Sequence, residues 1–199
     1  VIPNPCVWRP ERVASLDRPT AVAIGRLVPV KGFGLLVRAW EKVAAVHPDW
    51  KLEIWGDGPE RGSLERLVRE KGLEKNVLLR GATGEVQEKL LQASMLVFPS
   101  LFEGFGMVLV EAMACGVPCV AFECPCGPRD VISPEEDGQL VPPGDTDALA
   151  RAIIRLMEQP ELRSRMGAAA RNKAARYAMD AVCAAWMDLF RQLNSSSSR

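Results

Sequence analysis

Glu103-Gly-Phe-Gly-Met-Val-Leu-Val-Glu111 places two carboxylates eight residues apart, with a glycine-rich turn in front and an apolar run between them. Upstream, Met95-Leu-Val-Phe98 reads as a short buried strand; downstream, 107–114 reads as a helix stopped by Gly116 and Pro118. Strand, glycine turn and helix start together present bare backbone N–H groups, here at 104–108, to an anion. A second stretch, residues 25–32, carries Arg26 and Lys31 between glycines. Two cations and a helix start suit a diphosphate, and the carboxylates remain to hold hydroxyls. Singly, each has a plainer reading: Arg26 as a salt-bridge partner, Lys31 as a solvated loop residue, Glu111 as a residue that favours the N-terminal half of a helix.

Other chemistries lack their residues. Gly56-Asp-Gly-Pro-Glu-Arg-Gly62 has Arg61 where a dinucleotide-binding turn needs its third glycine, and Pro59 interrupts it. Ser100 has no Gly-x-Ser-x-Gly elbow, and the single histidine, His47, sits elsewhere in the chain. No Gly-x-x-x-x-Gly-Lys-Ser/Thr loop exists for P-loop phosphoryl transfer. What remains is a set for phosphates and hydroxyls, and a ligand offering both is a nucleotide sugar.

These residues need a frame that brings 26 and 31 beside 103 and 111. Strands are expected at 20–24, 51–55, 77–79, 95–98, 118–122 and 138–141. Helices are expected at 34–46, 60–71, 86–93, 107–114, from Asp145 or Thr146 to 158, at 160–177 and at 179–193. Short strands alternating with helices, without hairpin signals, predict an α/β fold: a doubly wound, Rossmann-like parallel sheet. Ligands then bind beyond the carboxyl ends of the strands, in loops 25–32, 56–59, 80–84, 99–106 and 123–127. Three prolines in the first ten residues make 1–19 an extended connector ahead of a domain at 20–193. Residues 194–199, Asn-Ser-Ser-Ser-Ser-Arg, read as a disordered tail. Arg151, Arg155, Arg163, Arg165, Arg171, Lys173 and Arg176 read as a solvated cationic face, and His47 is given no role.

Composition sets the bounds. A chain of 199 residues, 48% apolar, can bury one substantial core, in one or at most two domains. Lys+Arg and Asp+Glu are both 25, so no net field recommends a nucleic acid or an anionic membrane. No apolar run of about 18 residues marks a transmembrane helix, and the first residues have neither the basic nor the apolar region of a signal peptide. A start without Met suggests a piece of a longer protein. The six cysteines form no Cys-x-x-Cys pair, so buried reduced thiols in a cytosolic protein are expected and no metal site is.

Gly25-Arg-Leu-x-x-x-Lys-Gly32, Gly56-x-Gly-Pro59, Pro99-Ser100 and the Glu-x7-Glu stretch ending Glu111-Ala-Met-Ala-Cys-Gly-Val-Pro118 stand in a specific order. In these motifs the chain resembles retaining glycosyltransferases of the GT-B fold, family four (glycosyl transferases group 1). The resemblance covers nearly the whole chain and matches the C-terminal, donor-binding domain, with the N-terminal, acceptor-binding domain outside these residues. It implies that Arg26 and Lys31 bind the donor diphosphate and stabilise the charge that builds as the sugar–phosphate bond breaks. It implies that Glu103 meets the transferred sugar, Glu111 the ribose, and Arg80, Gly81 and Thr83 the base. Gly25, Gly56, Gly58, Gly104, Phe105, Gly106, Met107 and Val108 complete the implied donor site.

A uridine-linked donor is expected, with no cofactor and no divalent metal, and with an acceptor glycan or lipid-linked sugar as partner. The family often carries Gly-x-Pro-Glu after the next strand; here Gly127-Pro-Arg-Asp130 has its acid one place later. Glu123-Cys-Pro-Cys-Gly-Pro128 resembles a subgroup that builds bacterial surface polysaccharide or lipid-linked oligosaccharide, which implies a cytoplasmic protein at the inner face of the plasma membrane. By itself the chain is expected to transfer little or nothing. Its last helix should run toward the acceptor domain, with apolar residues left exposed and open to self-association. A nucleotide-sugar epimerase, a phosphorylase and a non-catalytic nucleotide-sugar-binding module are the alternatives.

Overall fold

A computed structural model describes residues 2–8 and 10–196 of the chain. Six strands, β1 (Thr20–Ile24), β2 (Lys51–Trp55), β3 (Val77–Gly81), β4 (Met95–Phe98), β5 (Cys119–Phe122) and β6 (Gly138–Val141), form one sheet. Its order is β3-β2-β1-β4-β5-β6, and every pairing is parallel. The helices are α1 (Phe33–Val46), α2 (Arg61–Glu70), α3 (Val86–Leu91), α4 (Met107–Ala114), α5 (Pro128–Val131), α6 (Thr146–Glu158), α7 (Pro160–Ala174) and α8 (Met179–Ser196). The doubly wound, Rossmann-like sheet expected from the sequence is the fold the chain adopts.

Successive side chains on a strand point to opposite faces, and the sheet is apolar on both. Ala21, Ala23, Leu52, Ile54, Met95 and Val97 pack with Leu36 and Trp40 of α1 and Leu149 and Ile153 of α6. Val22, Leu96, Phe98 and Ala121 pack on the other face with Leu90 of α3 and Leu109 and Met113 of α4. Helices cover the centre of both faces and leave the strand ends for a ligand, and that is where the loops lie. Asp145 caps α6 by accepting the Ala148 N–H at 2.8 Å.

Several sequence expectations are corrected by the structure. Arg163 is buried, not solvated: it donates to the carbonyls of Leu16, Leu156 and Met157, closing the end of α6 from α7. Lys173 donates to Asp137 and to Ser133, both at 2.8 Å, so it pins α7 to the β5–β6 connection. Among the cysteines, Cys6, Cys115, Cys119 and Cys124 are buried, while Cys126 and Cys183 are exposed. The helix expected to end at 193 continues to Ser196, because adding a residue to a formed helix costs little. The expected tail is thus helical at 194–196, and 197–199 lie outside the described residues. One helix, α5, falls where no element was expected; Pro128 fits its first turn.

Among its described residues the leading segment makes no helix and is nonetheless held. The Cys6 N–H donates to the Tyr177 carbonyl at 2.6 Å and the Ala14 N–H to the Cys115 carbonyl at 3.0 Å. Arg12 bridges to Glu88 of α3 at 3.0 Å, and Arg171 of α7 donates to the Pro10 carbonyl at 3.2 Å. Cys6, Pro10, Arg12 and Ala14 are therefore held on the same body as α3, α4 and α7.

Candidate donor site

The chain winds outward from β1 toward β3, then returns to β4 on the other side of β1. Adjacent strands that lead their helices to opposite faces open a crevice at their tips. The pairs Ala21↔Met95 and Val22↔Leu96 fix β1 beside β4, so the loops at 25–32 and 99–106 meet there. Lys31 and Glu103, 72 residues apart in sequence, join across this point with Nζ 2.5 Å from Oε1. Glu103 is only 8% exposed, and Lys31 also lies over the Phe98 ring, 5.7 Å from its centroid. A carboxylate with so little access to water has the Lys31 ammonium as its charge partner. Arg26, on the same loop as Lys31, is exposed, and no acid among the described residues pairs with it.

Close backbone approach explains the glycines. A Cβ on Gly32 would lie 2.1 Å from the Pro99 carbonyl oxygen, and its φ of +66° belongs to the left-handed region. A Cβ on Gly56 would lie 1.8 Å from the Gly25 oxygen, and one on Gly58 2.4 Å from the Leu27 oxygen. Gly56 and Gly58 thus act through packing, letting the β2 loop press on the β1 loop that carries Arg26 and Lys31, whereas a Cβ on Gly25 would come no closer than 3.6 Å, to the Phe33 ring. The Leu101 N–H adds a bond to the Val30 carbonyl at 2.9 Å, tying the cationic loop to the carboxylate loop.

Helix α4 begins at Gly106 without a side-chain cap and with no acid in its first turn. Among the described residues, the N–H groups of Gly106, Met107 and Val108 meet no acceptor outside the helix. Orphan donors at a helix start attract an anion, and no acid of the first turn occupies the place. Gly104 and Phe105 form the turn before it, where the Phe105 ring packs edge-on against Tyr177 at 5.9 Å. Glu111 follows one turn into the helix, half-buried, and burial pushes its carboxyl above the ordinary range. No hydrogen bond or ion pair among the described residues engages it. Burial, with Cys6 and Glu111 nearby, pushes the Cys115 thiol up to about 12.

Arg80 is not brought to this crevice. The β2–β3 register shifts after Ile54↔Leu79 to Trp55↔Gly81, leaving Arg80 as the extra residue of a bulge. A bulge re-aims its side chain, and the guanidinium lies on Glu53 at 2.5 and 3.1 Å, on the sheet face. Gly81 follows at the strand tip, and the Thr83 hydroxyl accepts the Glu85 N–H at 3.0 Å at the entry to α3. Asp130 turns back on its own helix and accepts the Gly127 N–H at 3.1 Å.

The sequence reading missed how the β5 loop buttresses the site. A Cβ on Gly127 would lie 2.5 Å from the Phe105 oxygen and 3.3 Å from the Glu103 Cβ. The Gly127-Pro128 step was the available signal. No helix among the described residues is long and apolar enough to cross a membrane.

Residues 7–173 match the family model described as "Glycosyl transferases group 1". Over 197 residues the chain is 40% identical to the exopolysaccharide phosphotransferase SCO2592 of Streptomyces coelicolor, covering 98% of this chain and 21% of that protein. It is 32% identical to the poly(ribitol-phosphate) alpha-N-acetylglucosaminyltransferase of Staphylococcus aureus, over 84% of this chain and 34% of that one. Among solved structures, a point mutant of S. aureus TarM in complex with fondaparinux, alpha-GlcNAc-glycerol and UDP superposes with a TM-score of 0.84. That match has 29% identity and covers 92% of this chain and 37% of that one. The chain spans between 21% and 54% of the length of the curated relatives it matches. The neighbouring folds are those of GT-B glycosyltransferases.

Proposed function

Because the chain belongs to the glycosyl transferases group 1 family, we propose that it is the donor-binding half of a retaining glycosyltransferase that takes a uridine-diphospho-sugar. The observation that carries this reading is the Lys31–Glu103 pair at the β1–β4 crevice, beside the uncapped start of α4. In this reading the diphosphate lies between Arg26, Lys31 and the N–H groups of 106–108. Glu103 accepts hydrogen bonds from the transferred sugar. Glu111, half-buried and unengaged among the described residues, accepts them from the ribose. The UDP-bound relative supports uridine. The base falls to Gly81 and Thr83, while Arg80 would have to leave Glu53 to reach it.

Transfer breaks the bond between the sugar's anomeric carbon and the diphosphate oxygen and forms one from the acceptor oxygen on the same face. The departing phosphate oxygen takes the acceptor's proton, so no separate base is called for. Arg26, Lys31 and the helix start stabilise the negative charge as it gathers on the leaving diphosphate. The reading needs neither a divalent metal nor a cofactor. Names of the relatives, an exopolysaccharide phosphotransferase and a poly(ribitol-phosphate) alpha-N-acetylglucosaminyltransferase, favour a bacterial surface polymer as acceptor; a lipid-linked sugar met on the cytoplasmic side of the membrane belongs to the same reading.

The acceptor would bind a second domain outside these residues. On α8, Trp186, Met187, Phe190 and Leu193 are exposed, with the Trp186 and Phe190 rings stacked at 5.8 Å. We assign that face to the acceptor domain, and the chain by itself would self-associate through it. Calorimetric titration with uridine, guanosine and adenosine diphosphates tests the donor site. Uridine diphosphate should bind most tightly, and binding of none of the three would overturn the reading. Sugar transfer by the 199 residues alone should be close to nil, since the acceptor would be unplaced; robust turnover would contradict the division into halves.

A further inference from the structure

Two cysteines stand one residue apart in the β5 loop, Cys124-Pro-Cys126-Gly127, and the proposed chemistry uses neither. They are unlike in access: Cys126 is exposed, whereas Cys124 is fully buried with its Sγ 4.0 Å from the Cys126 carbonyl oxygen. The loop lies directly behind the proposed donor site. Gly127 presses on the Phe105 carbonyl so closely that a Cβ would lie 2.5 Å away, and on the Glu103 Cβ at 3.3 Å. Burial and the nearby Glu103 carboxylate push the Cys124 thiol up, with Lys31 acting the other way.

We propose that Cys124 and Cys126 form an oxidisable dithiol, a modification site whose closure to a disulfide disables donor binding. The inference rests on the donor-site reading above. The exposed Cys126, as thiolate, attacks the S–S bond of a low-molecular-weight disulfide and releases one thiolate. Cys124 then loses its proton and attacks the Cys126 sulfur, expelling the second thiolate. The protein loses two protons and two electrons, and the small disulfide takes them up to become two thiols.

Closing a ring across one intervening proline draws Cys124 from its buried place beside the Cys126 carbonyl. A shift of the loop changes its packing on Phe105 and Glu103: moved toward them it pushes on both, and moved away it leaves them without their support, because Gly127 packs there without a gap. The turn that opens α4 and the carboxylate facing Lys31 move together.

The test uses a Cys183→Ser background, which removes the other exposed thiol, on the helix α8. The protein is treated with oxidised glutathione or with dithiothreitol, and intact mass and uridine diphosphate affinity are both measured. The expected result is a loss of two mass units and at least a tenfold loss of affinity, both reversed by dithiothreitol. Cys126→Ser should bind as the reduced protein does and should not respond to oxidant. Closure with unchanged affinity, or a stable glutathione adduct without closure, would overturn the inference alone. Failure of the reduced protein to bind any nucleoside diphosphate would instead overturn the donor reading, and this inference with it.

Discussion

The molecule contains two outwardly similar pairs, Lys31 with Glu103 and Arg80 with Glu53. Each joins a cation and a glutamate from neighbouring strands or their tips, at 2.5 Å. They differ in where the sheet puts them. Lys31 and Glu103 close a crevice between strands that wind in opposite directions, with an uncapped helix start and the exposed Arg26 beside them. Arg80 and Glu53 lie on the sheet face near its edge, aimed there by a bulge. The same contact is thus part of a candidate binding site in one place and a surface brace in the other. Position relative to the strand ends separates them, more than residue type does.

The comparison can be broken most forcefully at Lys31. Replacing it with alanine strands a buried carboxylate, which costs about 3 kcal/mol, the lower end for a buried pair because Lys31 itself is partly exposed. A Tm lower by roughly 6–12 °C is expected for a chain of this size, together with loss of uridine diphosphate binding. Thermal unfolding that matches the wild type would show that the pair is not buried as described. Arg26→Ala sharpens the contrast, because Arg26 pairs with no acid among the described residues. Its Tm should stay put while affinity falls about 10–150-fold, the range for a charge-assisted hydrogen bond.

At the other pair, Arg80→Ala should cost less than about 1 kcal/mol, as exposed ion pairs do. It should shift uridine diphosphate affinity by no more than about twofold in a parallel titration. A tenfold loss there would mean that Arg80 leaves Glu53 to meet the ligand.

The smallest effect is expected at Glu111. Burial raises its carboxyl in the folded state, so its contribution to stability is full below the ordinary carboxylate range and is lost as pH rises through the raised value. Glu111→Gln should therefore raise Tm slightly at pH 7, with the gain fading toward pH 4, while donor binding weakens. A Tm increment independent of pH would point to a cause other than titration.

Much of this architecture was legible in the sequence, because apolar period and glycine position report local geometry directly. β1, β2, β4 and β6, and the start and end of α4, fall where the pattern puts them. What escaped depends on partners distant in the chain. The bulge at Arg80 is set by the register of β2, and the burial of Arg163 by the Leu16 carbonyl 147 residues away. Cys126 looked like its buried neighbours because nothing local distinguishes an exposed thiol from a buried one. For the site, the residue types were legible, but the meeting of Lys31 with Glu103 follows from strand order, which no single stretch contains. The buttress behind Glu103 depends on packing between two loops and left only one glycine as its trace.

The account turns on Arg26 and Lys31 acting together with the start of α4 as a diphosphate site. Calorimetric titration of uridine diphosphate into wild-type protein and into Arg26→Ala tests this most directly, since that variant removes a site cation without disturbing the Lys31–Glu103 pair. The account predicts one site per chain in the wild type and at least tenfold weaker binding in Arg26→Ala at an unchanged Tm. Equal affinity in the two proteins would contradict it.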